Sequence, residues 1–497
     1  MSSPYEPAWL DAALQAALAR LKREPDVRYA EVRFVCDSSE KLRVRDLRPE
    51  QVATTSSRGV AVRVLGERTW GFACTPMTDE ASVVAAAERA LSIARASGAL
   101  ARRAVPFPAA EGVRGTYETP TQIDPFTIST GQKLAALDAP VRALMGKGRQ
   151  GKPIRSAEAW MDWTRTHKRL VTSEGTDVRQ TFTYGTCGMQ AIAIGDDGVS
   201  QRRSYPTFQG GDGFQAGYER IAELDLMAHV DRVADEATAL LTAPPLASGT
   251  CDVILESSQV GLQIHESCGH PTELDRALGT EISLAGGSFL QPELLDKLRY
   301  GSAIVDLVAD STSPGGMGTF GWDDEGVRAG TRHLVREGSF VDYLSSRETA
   351  ATLGLASTGT MRAEGWNRTP LIRMVNVSLQ PREGTLEALV ADTRDGVLLE
   401  TDKSWSIDDL RLNFQFTCEV AWEIKHGKRT RLLRDPLYTG LTPQFWRSCD
   451  AICGPDEWRL WGVTTCGKGD PMQAMQVGHG AAPARFRGVT VGNGGAS

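Results

Sequence analysis

Apolar positions change period several times along the chain, and each change predicts an element. Trp9, Leu10, Ala13, Leu14, Ala17, Leu18 and Leu21 return to one face of a helix. From Tyr29 to Thr75 apolar and polar residues alternate instead, as in strands with one buried side. Val60, Val62 and Val64 point one way, and Gly66-Glu67 reads as a two-residue hairpin turn before Thr69-Trp70-Gly71-Phe72. Thr78 is placed to cap a following helix whose first turn carries Asp79 and Glu80. Its stripe is Val83, Val84, Ala87, Leu91 and Ala94, and Gly98 ends it.

Residues 105–125, rich in Pro, Gly and Thr, read as a connection. Alternation returns from Ala157 to about Tyr205, with a turn at the GDDG of 195–198. A helix from roughly Phe214 to Leu241 closes this half. The Pro/Gly/Ser punctuation TAPPLASG at 242–249 then marks the strongest boundary in the chain. Beyond it come the short buried strand CDVILESS and a helix carrying two histidines. Past Asp310 follow glycine-rich β-like runs: HLVREGSFVDYLSS, LIRMVNVSLQP, LEALVADTRDGVLLET, NFQFTCEVAWEIKHGKRT and ARFRGVTVG. The pattern predicts an α+β protein of two domains. Residues 1–243 form an N-terminal sheet-and-helix domain, and residues 250–497 a β-rich domain that carries the metal-binding helix.

A length of 497 residues fits two domains better than one core. Lys and Arg number 55 against 62 Asp and Glu, a net charge of -7 that gives no global reason to coat nucleic acid or an anionic membrane. The N-terminus lacks the charged start and apolar block of a secretory signal, and no run reaches the ~18–20 apolar residues of a membrane span. Nine cysteines, an odd number scattered over the chain, fit reduced thiols in the cytoplasm better than a disulfide framework.

Chemistry concentrates in SSQVGLQIHESCGHPTELD, residues 257–275. His265 and His270 flank Glu266 as H-E-x-x-x-H. The commoner zinc-peptidase spacing, H-E-x-x-H, sets its histidines four residues apart on one helical face. Five residues leave the imidazoles ~140° apart on an ideal α-helix, so the helix must widen by a π-type turn or end between them. Gly269 and Pro271 bracket His270 and permit either departure. Glu266 would project toward a zinc-bound water and act as general base. Catalytic zinc usually takes three protein ligands and keeps an open position. The third is open among Cys466, Cys453, Cys449, Cys268, Glu273 and a distant histidine. Cys466, followed by Gly467-Lys468-Gly469, stands on a glycine-flanked turn that lets a thiolate approach a metal closely.

Several separated signatures then appear in one order. They are GVAVRVLGERTWGFACT at 59–75, VTSEGTDVRQ at 171–180, IHESCGHPTELD at 264–275, DDEGVRAG at 323–330, LGLASTGTMR at 353–362, RMVN at 373–376 and CGKGDPMQAMQVG at 466–478. Together they resemble the TldD/PmbA family, sometimes described as modulators of DNA gyrase, and specifically its TldD-like branch that keeps the metal motif. The resemblance implies a zinc peptidase with His265, His270 and Cys466 as ligands and Glu266 as general base. It also implies a dimer, either of two identical chains or with a paralogue lacking the motif, acting on peptides or unfolded segments. An extended substrate would be held by backbone pairing to a sheet edge; Arg373 and Asn376 are candidates to bind peptide termini or carbonyls. The alternative is a non-catalytic partner subunit or binding module whose metal serves folding. Glu266 argues against it, since a structural site needs neither a free carboxylate nor an open position.

Overall fold

A computed structural model describes residues 5–207, 211–283 and 286–494 of the chain. Residues 1–4 and 495–497, which the expected domain limits include, lie outside them. The protein is α+β and rich in sheet.

An eight-stranded sheet is drawn wholly from residues 29–215. Its path runs Trp70–Thr75, Arg48–Leu65, Tyr29–Arg45, Ile154–Thr172, Asp177–Ile194 and Arg114–Glu118, with Ser200–Tyr205 and Asp212–Gln215 also on Asp177–Ile194. The helices Leu10–Lys22 and Glu80–Gly98 bury their stripes on its first strands through Leu14, Leu21, Val83 and Leu91, which meet Val32, Val60 and Val62. Trp9, assigned to that stripe by periodicity, is 55% exposed. A second core joins the Ile154–Thr172 and Asp177–Ile194 strands to the helices Thr130–Arg149 and Val230–Leu240.

Five local expectations are corrected. Asp79, not Thr78, caps the Glu80–Gly98 helix, its carboxylate accepting from the Ser82 N–H at 3.0 Å. The hairpin between Leu65 and Trp70 closes on a bond from Gly66 N–H to the Thr69 carbonyl, so the two residues at its tip are Glu67-Arg68, one later than expected. The stretch 105–125 contains the strand Arg114–Glu118, which pairs in parallel with Asp177–Thr181. The expected helix over 214–241 is broken: Phe214 belongs to a strand, and Asp225, in the left-handed region at φ 40°, separates Glu219–Leu224 from Val230–Leu240. Within LEALVADTRDGVLLET, Leu386–Asp392 is a helix capped by Thr385, because Leu386, Leu389 and Val390 repeat at helical rather than strand spacing.

The second half holds two larger sheets. One runs Ser339–Phe340, Thr331–Arg336, Leu307–Asp310, Asn376–Leu379, Gln473–Ala481 and Arg459–Lys468. The other runs Asp395–Ile407, Gly249–Leu255, Ala484–Asn493, Pro436–Leu441, Asn413–Lys425 and Lys428–Arg434, with Cys449–Ile452 also on Ala484–Asn493. Asp395–Ile407 also pairs with Asn413–Lys425, which closes five of these strands into a ring. The helix Ser257–Ile264 leaves the end of Gly249–Leu255 and lies between the two sheets, touching strands of both. Glu256 starts it by accepting from the Ser258 N–H at 2.8 Å. No helix among the described residues is long and apolar enough to cross a membrane.

Candidate metal centre

The five residues His265–Gly269 continue that helix as a π-turn, in which the His270 N–H reaches back to the His265 carbonyl at 3.2 Å. Of the two local solutions open to the H-E-x-x-x-H spacing, the chain takes the widened one. An i to i+5 bond brings residues five apart onto one face, and the two imidazoles stand with centroids 4.9 Å apart at 89°. Surrounding side chains satisfy the carbonyls the turn frees. Thr272 donates to Cys268 O at 2.8 Å and to Gly269 O at 2.9 Å, and Tyr300 donates to Ser267 O at 2.7 Å. Gly269 serves close packing: a Cβ there would lie 1.9 Å from the Met374 sulfur.

Cys466 reaches the same point from the Arg459–Lys468 strand, at a register shift between Val463 and Cys466. Its sulfur stands 3.6 Å from His270 Nε2, and one donor atom each from His265, His270 and Cys466 lies within 4.8 Å of the other two. All three residues are buried.

Hydrogen bonds behind the imidazoles fix which nitrogen is free. His479 Nδ1 lies 3.0 Å from the Val377 carbonyl and must donate to it, so its Nε2 is an acceptor. His265 Nδ1, 2.7 Å from that Nε2, therefore carries the proton, leaving the His265 Nε2 lone pair free. His270 Nδ1 faces Glu273 Oε2 at 3.1 Å and Arg276 Nη2 at 3.3 Å; donation to the nearer carboxylate frees Nε2 on the Cys466 side. Burial pushes the Glu273 carboxyl up, but Lys468, Arg276 and His270 more than offset this and hold it well below the ordinary value. Burial pushes both His265 and His479 below the usual histidine range, which keeps them neutral. Such orienting partners are what a metal-binding imidazole needs.

The thiols separate sharply. Burial pushes Cys466 up, but His270 and Arg373 outweigh it and leave it below the ordinary thiol value. Cys268 and Cys449 are pushed far up by burial, and Cys453 to about 12. Two imidazole nitrogens and a thiol biased toward thiolate form a donor set that fits zinc.

Glu266 lines the same cavity, of about 300 Å³, beside Trp405, Arg411 and Trp461. Burial raises its carboxyl, but His265, His270 and Arg411 bring it below the ordinary glutamate value, so it is ionised at neutral pH. Arg411 Nη1 donates to Glu266 Oε2 at 2.7 Å.

Family models for the PmbA/TldA metallopeptidase match the chain in three segments: domain 1 over 30–94, the central domain over 151–241 and the C-terminal domain over 248–493. The chain belongs to the PmbA/TldD metallopeptidase family. It is 27% identical over 452 residues to a metalloprotease of Methanocaldococcus jannaschii, covering 91% of this chain and 94% of that one. A zinc metalloprotease TldD homolog of Saccharolobus solfataricus is 26% identical over 195 residues, 39% of this chain and 42% of its own. The fold is shared with a Thermotoga maritima protein described as a candidate modulator of a DNA gyrase, at TM-score 0.77 and 17% identity over 97% of this chain and all of that one.

Within this PmbA/TldD chain, several residues weighed as ligands lie elsewhere. Glu273 backs His270 rather than facing Cys466, and Cys268, Cys449 and Cys453 pack in the hydrophobic core. Arg373 and Asn376 are fully buried and hold the scaffold. Arg373 donates to the carbonyls of Cys466 and Gln473, and Asn376 to the Asp310 carbonyl and Thr319. His479 and Arg411 escaped the sequence reading. His479 stands one residue past the CGKGDPMQAMQVG signature, and Arg411 lies in a loop with no spacing signal.

Proposed function

We propose that this family member is a zinc-dependent peptidase in which His265, His270 and Cys466 hold the metal and Glu266 is the general base. The observation that carries the reading is the meeting of those three donors with an ionised carboxylate at one cavity. A zinc ion held there supplies a Lewis acid and acidifies water toward a pKa of ~7. Arg411 occupies Glu266 Oε2 and leaves Oε1 to take the proton of the attacking water and return it to the leaving amine.

The substrate is a peptide or unfolded segment, laid along the outer edge of Arg459–Lys468. That strand ends its sheet path and brings Val463, Thr465, Cys466 and Gly467 to the cavity, beyond the point where Gly462 meets Asp212, so a backbone paired to this stretch would run past the metal site. The catalytic unit is residues 250–497 and the N-terminal unit residues 1–243, a division supported by sheets drawn separately from the two halves. Nine unpaired cysteines fit a reducing compartment such as the cytoplasm. The family likeness suggests a dimer, which light scattering with and without a paralogue tests; monomer alone in both would remove it.

Metal analysis joined to turnover tests the central reading. Wild-type protein should carry about one zinc per chain and cut an unstructured peptide. Glu266→Ala should keep the zinc and lose at least ~10²-fold in rate. Wild-type turnover by Glu266→Ala would remove the general base, and zinc retained after His265→Ala plus His270→Ala would remove the ligand set.

A further inference from the structure

Among the described residues two acidic ones line the cavity, and their surroundings differ. Glu266 is paired with Arg411. Asp402 is 6% exposed, and its Oδ2 is buried without a hydrogen-bond partner. A buried, unsatisfied carboxylate oxygen is costly to keep, and such groups call for an explanation beyond packing. Burial, with Glu419 nearby, pushes its carboxyl up to about 7, and Arg202, the neighbouring cation that opposes this, also pairs with Glu419.

The backbone is bent to place Asp402 there. Thr401, a β-branched residue, sits in the left-handed region at φ 60°, and the register against Asn413–Lys425 shifts between Asp402 and Ser404. Left-handed backbone at a β-branched residue is strained and persists where its surroundings over-determine it. Arg203 Nη1 does so by donating to the Thr401 hydroxyl at 2.7 Å. The register shift comes after Asp402 and re-aims the residues that follow it, Trp405 among them.

Trp405 and Trp461 line the same cavity, and Trp461 is held by a bond from its indole N–H to Ser257 at 3.0 Å. An indole face attracts an ammonium or guanidinium group, as a carboxylate does. We infer that Asp402, with Trp405 and Trp461, forms a subsite for a cationic nitrogen of the substrate, either its free α-amine or a lysine or arginine side chain near the bond to be cut. The inference deepens the peptidase reading and rests on it for the identity of the ligand as a peptide.

Binding separates the two ideas. Zinc-loaded Glu266→Ala protein is titrated with fluorescent peptides in matched pairs: lysine against norleucine at positions flanking the scissile bond, and free against acetylated N-terminus. The cationic member of one pair should bind at least ~10-fold tighter, in line with a charged hydrogen bond. The pair that shows the effect identifies the source of the cation. Adding Asp402→Asn should bring that ratio to within about 2-fold, and Asp402→Glu should restore part of it. Equal binding within every pair, read on protein with Asp402 intact, overturns the subsite without need of a variant; a ratio preserved in Asp402→Asn also overturns it. An Asp402-dependent ratio in a protein whose wild type cuts no peptide would leave the subsite standing and remove the peptidase. Cleavage without any cation preference would do the reverse.

Discussion

His479 tests whether the arrangement behind the imidazoles matters as much as the donors themselves. Truncation to alanine removes the acceptor that holds His265 Nδ1–H at 2.7 Å and the donor to the Val377 carbonyl at 3.0 Å. His265 is buried, so its N–H finds no water in exchange, and a buried donor left unpaired costs ~1–3 kcal/mol. The imidazole is then free to turn or to move its proton to Nε2, which abolishes the lone pair proposed to hold the metal. Loss of such an orienting partner typically weakens metal binding ~10–100-fold, or about 1.4–2.8 kcal/mol, and the two routes to the number agree. Competition for zinc against a chromogenic chelator measures it directly, with circular dichroism as the check on folding. His479→Gln, which carries both an acceptor and a donor, should recover most of the loss. Folded His479→Ala that binds zinc with wild-type affinity would refute the role assigned to this histidine.

Cys466→Ser should lower zinc content and activity together, whereas Cys449→Ser and Cys453→Ser should alter neither by more than about 2-fold, as befits core thiols remote from the donors; zinc lost equally from all three would remove the distinction. Gly269→Ala drives a methyl into the Met374 sulfur and should cost ~1–3 kcal/mol in chemical denaturation, with Met374→Ala in the same chain recovering part of it; a neutral Gly269→Ala would show that the π-turn is not packed as described. Asp402 gives a pH signature. Below about pH 4 both folded and unfolded chains hold its proton, and it contributes no pH dependence. Between there and about 7 only the folded chain does, so stability falls as pH rises, and above 7 the penalty is complete. Asp402→Asn should therefore gain in urea midpoint relative to wild type from pH 5 to pH 8, and a difference that is flat with pH would contradict the burial of this carboxylate.

What the sequence determined was local. His265, Glu266 and His270 lie within six residues of chain, and helix geometry alone demands that a five-residue spacing be met by a π-turn or a helix end. The α+β character followed from apolar period, since a strand buries every second residue and a helix every third or fourth. Short elements whose period is set by a cap or a single left-handed residue escaped it, as at Asp225 and Leu386–Asp392. So did Thr130–Arg149, although its Ser129/Gln132 capping box was present in the chain. Tertiary structure decided everything that reaches the cavity from afar. Cys466 meets His270 across 196 residues, His479 meets His265 across 214, and Arg411 meets Glu266 across 145. A cysteine among nine, or a histidine among seven, carries no spacing signal when its partner is a sheet away. Which one arrives depends on how the Arg459–Lys468 and Gln473–Ala481 strands pack against the helix Ser257–Ile264, and that is settled by burial of the two sheets on either side of it. Asp402 is the extreme case. Nothing in TDKSW marks one of its carboxylate oxygens as unpaired, because the lack of a partner for Oδ2 is a property of the whole fold around it.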